Sequence, residues 1–228
     1  MLAPDLRTQI FRLFYALILT ASCLYATYGQ SALDNERSEK PATDVVRYGI
    51  VLDNSGAFRL MLERAVRIVA EVVRKNEEGD QTFLMTFSDA GNIVVRQELT
   101  SNRAEMVDSV ENVYAEVGRG SYLDAINASL AFMVEAEGSG AALLKSLIIV
   151  TDGEERDAAI RPDDVIIKAK ANKIRLHFIV ISAAKQTSKQ VDRLARETDG
   201  KAVYPKTTED FKSVSAEIAK EIRRAQSK

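Results

Sequence analysis

Three short segments of the 228-residue chain carry the side chains best suited to chemistry: Asp53-Asn54-Ser55-Gly56-Ala57, Gly120-Ser121 and Thr151-Asp152-Gly153. Two of them directly follow apolar runs that read as buried strands, Tyr48-Gly49-Ile50-Val51-Leu52 and Leu147-Ile148-Ile149-Val150. In open α/β sheets ligands bind in the crevice beyond the carboxyl ends of the strands. Two carboxylates and two hydroxyls delivered there form a hard-oxygen set, which suits Mg²⁺ or Mn²⁺ rather than zinc. Taken singly, Asp53 or Asp152 reads as well as a helix N-cap or turn former. Asp53 with Ser55 two residues on, joined by the Thr-Asp-Gly context of Asp152, reads as a metal site built from Asp53, Ser55, Ser121 and Asp152.

The elements that must position these residues alternate along the chain. Arg47 to Leu52 predicts a first strand, and the helical spacing of Leu62, Ala65, Val66, Val69, Val72 and Val73 an amphipathic helix. Thr82 to Phe87 and Ile93 to Leu99 read as a hairpin around the polar turn Ser88 to Asn92. Met106, Val107, Val110 and Val113-Tyr114 predict the next helix, and Ser121 opens another that runs through Leu130 and Met133. Leu143 to Val150 is the expected central strand. A short helix opened by Pro162 follows, then a strand from Ile174 to Ile181 and a helix from Val191 to Thr198 that ends at Gly200. Ala202 to Tyr204 predicts a last strand, and Phe211, Val214, Ile218 and Ile222 the stripe of a closing helix. Gly138-Ser139-Gly140 reads as a loop. The expected fold class is α/β: a doubly wound, mostly parallel central sheet with one antiparallel edge strand and helices on both faces.

The motif residues resemble the metal-ion-dependent adhesion site of von Willebrand factor A domains, over roughly Val45 to Ala225. That family's pattern is Asp-x-Ser-x-Ser after the first strand, a Thr on a later Gly-rich loop, and an Asp within Thr-Asp-Gly after the central strand. Asp53, Ser55 and Asp152 match, and Ser121 stands for the Thr; the spacing also admits Gly120 at that position. Ala57 takes the place of the family's second Ser and removes one ligand. The resemblance implies an exported, bacterial-type interaction module and no enzyme. Its Mg²⁺ or Mn²⁺, electron-poor because few carboxylates bind it directly, would take a further oxygen from an acidic side chain of a protein partner. Asn54, Ala57 and Gly153 would line the rim.

Two other readings stay open. An Asp after the first strand also suits a Mg²⁺-dependent hydrolase or phosphotransferase of haloacid dehalogenase type with Asp53 as nucleophile, although Ser55 stands where such enzymes want a second acid. Alternatively, Ala57 marks a domain of the same fold that has given up its cation and binds partners by another surface.

Composition narrows the field. Hydrophobic content of 46%, charged content of 28% and a net charge of −2 fit a globular domain and give no sign of nucleic-acid binding. A single histidine, His177, and a single cysteine, Cys23, exclude zinc sites and the usual nucleophilic triads. His177, within a strand, reads as a packed residue. No Gly-rich phosphate loop is present. Glu154 and Glu155 read as a solvated loop, Arg119 as an exposed loop arginine, and Asp89 as a turn residue.

Arg7 and Arg12 precede the uncharged run Leu13 to Ala26, so residues 1–29 read as a secretory signal or, uncleaved, as an N-terminal membrane anchor. Ala21-Ser22-Cys23 has the small-small-Cys end of a lipobox, with Thr20 where that motif prefers a larger aliphatic residue; Cys23 reads otherwise as one more residue of the apolar segment. Residues 30–44, polar and broken by Pro41, read as a flexible tether, and 45–226 as the domain. The expected location is extracytoplasmic, with contact to a membrane only through the N-terminal segment.

Overall fold

A computed structural model describes residues 45–136, 144–182 and 187–225. The expectations for residues 1–44 and for the loop at Gly138 to Gly140 fall outside them. The described residues belong to one compact unit, Asp44–Lys228. Its elements are β1 (Val46–Asp53), α1 (Arg59–Val73), β2 (Gln81–Asp89), β3 (Asn92–Thr100), α2 (Arg103–Glu111), α3 (Tyr122–Glu135), β4 (Leu144–Thr151), α4 (Pro162–Ala171), β5 (Ile174–Val180), α5 (Lys189–Glu197), β6 (Ala202–Val203) and α6 (Thr208–Glu221).

The strands lie in the order β3-β2-β1-β4-β5-β6. Only β2 and β3 pair antiparallel; β1 pairs in parallel with β2 and β4, β4 with β5, and β5 with β6. The predicted fold class is therefore the observed one. Every residue of β1 is buried, as a parallel strand covered on both faces must be. Side chains alternate across the sheet. Tyr48, Ile50, Leu52, Ile148 and Val150 pack on one face with Leu62, Val69, Met106, Val214 and Ile218 of α1, α2 and α6. Val51, Leu147, Ile149 and Phe178 pack on the other with Leu123, Leu130, Val165 and Leu194 of α3, α4 and α5. The strand order reverses between β1 and β4, where Leu52 lies opposite Val150. This is the switch point at which a doubly wound sheet opens its crevice, and both aspartate-bearing loops leave it.

Several boundaries differ from expectation. β2 and β3 extend to Asp89 and Asn92, leaving Ala90-Gly91 as the turn, with the Asp89 carboxylate accepting the Gly91 N–H at 2.9 Å. α2 stops at Glu111, so Val113-Tyr114 lie beyond it; Asn112 closes the helix, its Nδ2 donating to the Asp108 carbonyl at 2.9 Å. α5 ends at Glu197, and Asp199 rather than Gly200 takes the left-handed conformation, with φ 56°. β6 is only two residues long.

Candidate metal centre

At the end of β1 the chain is tied down before it turns into α1. Asp53 is 1% exposed, and its Oδ1 accepts the Ser55 N–H at 2.9 Å, a local Asx turn. The Asn54 N–H donates to the Phe87 carbonyl at 3.0 Å, and the Asn54 carbonyl accepts the Glu116 N–H at 2.8 Å. The Asn54 side chain donates to the Tyr114 carbonyl at 3.0 Å. Ser55 is fully buried, and its hydroxyl has no hydrogen bond of good geometry among the described residues. Ala57 is exposed and carries no oxygen towards the site.

The second segment arrives across the top of β2. Gly120 donates its N–H to the Ser88 carbonyl at 2.8 Å and has φ +86°, a conformation that L side chains rarely adopt. A Cβ at Gly120 would stand 3.2 Å from Asp53 Oδ2 and 3.6 Å from Ser55 Oγ, so the missing side chain keeps the space beside these two oxygens open. Ser121, 1% exposed, stands at the N-cap of α3 but donates its hydroxyl to the Asp124 carboxylate at 2.5 Å instead of capping the backbone. The cap comes from another loop: the Glu155 carboxylate accepts the Leu123 N–H at 2.8 Å. Glu155 is thus a partly buried helix cap and not a solvated loop residue, a correction to the sequence expectation.

The third segment ends β4. Thr151 lies 3.5 Å from Asp53 through its hydroxyl, which in turn accepts the Gly153 N–H at 3.3 Å. The Asp152 carboxylate is held by Arg156: Nη2 donates to Oδ2 at 2.9 Å and Nη1 lies 3.4 Å from Oδ1. Arg119, as expected for an exposed loop arginine, pairs with Asp157 at 3.1 Å.

Asp53 and Ser55 therefore meet directly, with Gly120 against both. Ser121 enters on the same loop with its hydroxyl turned to Asp124, and Asp152 is near enough for its charge to raise the pKa of Asp53. Burial pushes Asp53 up to about 6, opposed first by the Ser55 N–H. Burial likewise pushes Glu155 up to about 7, opposed first by the Leu123 N–H. A desolvated carboxylate beside an unpartnered buried hydroxyl fits a small hard cation. Among the described residues no three acidic, His or Cys side chains gather to hold a metal, so hydroxyls and water must complete such a shell.

Sequence reasoning missed Arg156 and Asp124 and misjudged the setting of Glu155. The spacing of four between Asp152 and Arg156 was the only signal for the first, and such spacing implies contact only on a helix. His177 is the packed residue expected. It is fully buried, with Nε2 3.4 Å from the Ser146 hydroxyl.

The family model for the von Willebrand factor type A domain matches residues 49–220. No curated protein matches the chain significantly. Among solved structures, an aerotolerance-related membrane protein from Bacteroides fragilis aligns at 17% identity and TM-score 0.62, covering 78% of this chain and 98% of that one. The conserved hypothetical protein BatB from Bacteroides thetaiotaomicron aligns at 18% identity and TM-score 0.59, covering 78% and 100%. A von Willebrand factor type A structure from Catenulispora acidiphila aligns at 17% and 0.62, covering 78% and 43%. At these identities the structural likeness concerns the fold.

Proposed function

Because the chain belongs to the von Willebrand factor type A domain family, whose domains are typically interaction modules, we propose that it captures a protein partner through a divalent cation. The ion, Mg²⁺ or Mn²⁺, would be held at the carboxyl edge of the sheet by Asp53, Ser55, Ser121 and Asp152, with water in place of the oxygen that Ala57 lacks. The observation that carries this reading is the buried, unpartnered Ser55 hydroxyl beside the desolvated Asp53 carboxylate, in a space that Gly120 leaves open. The bound ion would supply a positive site for an acidic side chain of the partner.

The surroundings suit a protein ligand. Val117 is 95% exposed and stands between Glu116 and Gly118, whose carbonyls border Gly56; Leu60 in the first turn of α1 is 77% exposed. Apolar side chains beside a charged centre are what a protein interface uses around its polar anchor. An extracytoplasmic location draws support from the likeness to an aerotolerance-related membrane protein. No helix among the described residues is long and apolar enough to cross a membrane.

Calorimetric titration of Mg²⁺ and Mn²⁺ into the full chain tests the proposal, with Asp53→Asn as the comparison. Saturable binding that the substitution weakens by about tenfold or more, ~1.4 kcal/mol, is the expected result. Absence of binding at millimolar metal in the wild type, with no tighter binding in a variant freed of Arg156, would sink the cation reading.

A further inference from the structure

Arg156 is the least expected occupant of this edge. Among the described residues its guanidinium hydrogen bonds go to the site's own loops. Nη2 donates to Asp152 Oδ2 at 2.9 Å and to Glu154 Oε2 at 2.5 Å. Nη1 donates to the Arg119 carbonyl at 3.0 Å and lies 3.4 Å from both Asp152 Oδ1 and the Glu154 carbonyl. The ion pair is sheltered, with side-chain exposures of 19% for Arg156 and 16% for Asp152. The same Nη1 would stand 3.7 Å from a Cβ on Gly120, the point that also lies 3.2 Å from Asp53 Oδ2. One fixed positive charge thus joins the Gly120 loop to the Asp152 loop. Joining them is what a cation bound by residues of both loops would do.

We infer that Arg156 is a tethered counter-cation that competes with the divalent ion for Asp152 and thereby sets the metal affinity of the site. The inference rests on the cation reading above. Asp152 Oδ2 accepts Arg156 Nη2 at 2.9 Å, while Oδ1 accepts the Glu154 N–H at 2.9 Å with Arg156 Nη1 at 3.4 Å, so the guanidinium takes the strongest side-chain contact on the oxygen that a metal or its water would otherwise use. Like charges only a few ångströms apart also repel in a site where burial weakens screening. An ion that binds fully must therefore free Asp152 from Arg156, and the free energy of that exchange is subtracted from its affinity. Ala57 and Arg156 then act in the same direction: one removes a ligand and the other occupies one. The site is tuned to release its ion readily.

Mg²⁺ titration of the wild type, Arg156→Gln, Arg156→Lys, Asp152→Ala and the double variant Arg156→Gln/Asp152→Ala tests this. Arg156→Gln is expected to bind about tenfold tighter than wild type or better, ~1.4 kcal/mol, and Arg156→Lys, which keeps the charge without the fork, to fall between. The double variant must bind no tighter than Asp152→Ala alone, because the gain acts through Asp152. Equal affinity in wild type and Arg156→Gln overturns the inference and leaves the cation reading standing. A gain that survives Asp152→Ala overturns it as a general charge effect. Absence of binding in all five chains overturns both. Thermal unfolding of each variant checks folding; should Arg156→Gln unfold, the comparison of Arg156→Lys with wild type decides by the same criterion.

Discussion

Two buried titratable side chains, Asp53 and His177, give the residue scale its sharpest predictions, and they act with opposite sign. Asp53 ionises at about 6 in the folded chain against roughly 3.9 when unfolded. Its contribution to stability is fully present below the unfolded value and is lost as pH rises through about 6. Asp53→Asn removes that loss while retaining an acceptor for the Ser55 N–H. In metal-free solution the variant should be more stable than wild type by about 2 kcal/mol at neutral pH and equal to it near pH 4. His177 is the reverse case, pushed down to about 3 by burial and then by the charges of Arg175 and Arg224. The stability tied to its neutral form is present above about 6.5, the unfolded value, and is lost as pH falls through the folded one. His177→Met also removes a ring nitrogen, Nδ1, that has no hydrogen bond among the described residues. It should spare the fold roughly 2 kcal/mol of the loss between pH 6.5 and 4.5. Urea midpoints of the three chains across this range check both; a parallel wild-type and Asp53→Asn profile, or an unchanged acid limb in His177→Met, contradicts the corresponding account.

At the scale of elements, the end of α6 depends on a residue from the sheet. Arg175 in β5 is 1% exposed, and its guanidinium donates to the carbonyls of Glu221 at 3.0 Å, Ile222 at 2.7 Å and Arg224 at 2.7 Å. The last carbonyls of a helix lack intrahelical partners, and here a buried cation supplies them. Arg175→Met leaves those carbonyls unsatisfied and should cost about 3 kcal/mol, with amide exchange speeding first in α6; a loss spread evenly over all elements would contradict this. The interior of Arg175 could not be read from sequence, since an arginine in a strand ordinarily points to solvent. The strands themselves could. β1, β4 and β5 are covered on both faces, so burial leaves nearly continuous apolar runs whose ends place Asp53 and Asp152 within a residue. Val113-Tyr114 invited an extension of α2 because apolar spacing continues there, whereas Asn112 ends the helix locally. Glu155 and Arg156 act across loops, where neither period nor propensity applies.

For the molecule as a whole, the sheet must be thin at its centre for both helical layers to close on it. Gly49 in β1 provides this: a Cβ there would stand 2.1 Å from the ring of Phe83 and 2.7 Å from Leu147. Phe83 in turn packs against Phe132 of α3 with ring centroids 4.8 Å apart. Gly49→Ala overfills this centre and should destabilise the chain by roughly 1–3 kcal/mol, seen as a lowered thermal midpoint; an unchanged midpoint would mean that the aromatic pair has room to move. Close packing of that kind also governs how the candidate site meets a ligand. Its loops are not free segments: Asn54 is bonded through its backbone to Phe87 and Glu116, and Gly120 to Ser88. A ligand arriving at this edge meets a backbone already in place, so the entropy of ordering falls on the ligand's side alone. Recognition there would resemble a key entering a rigid lock.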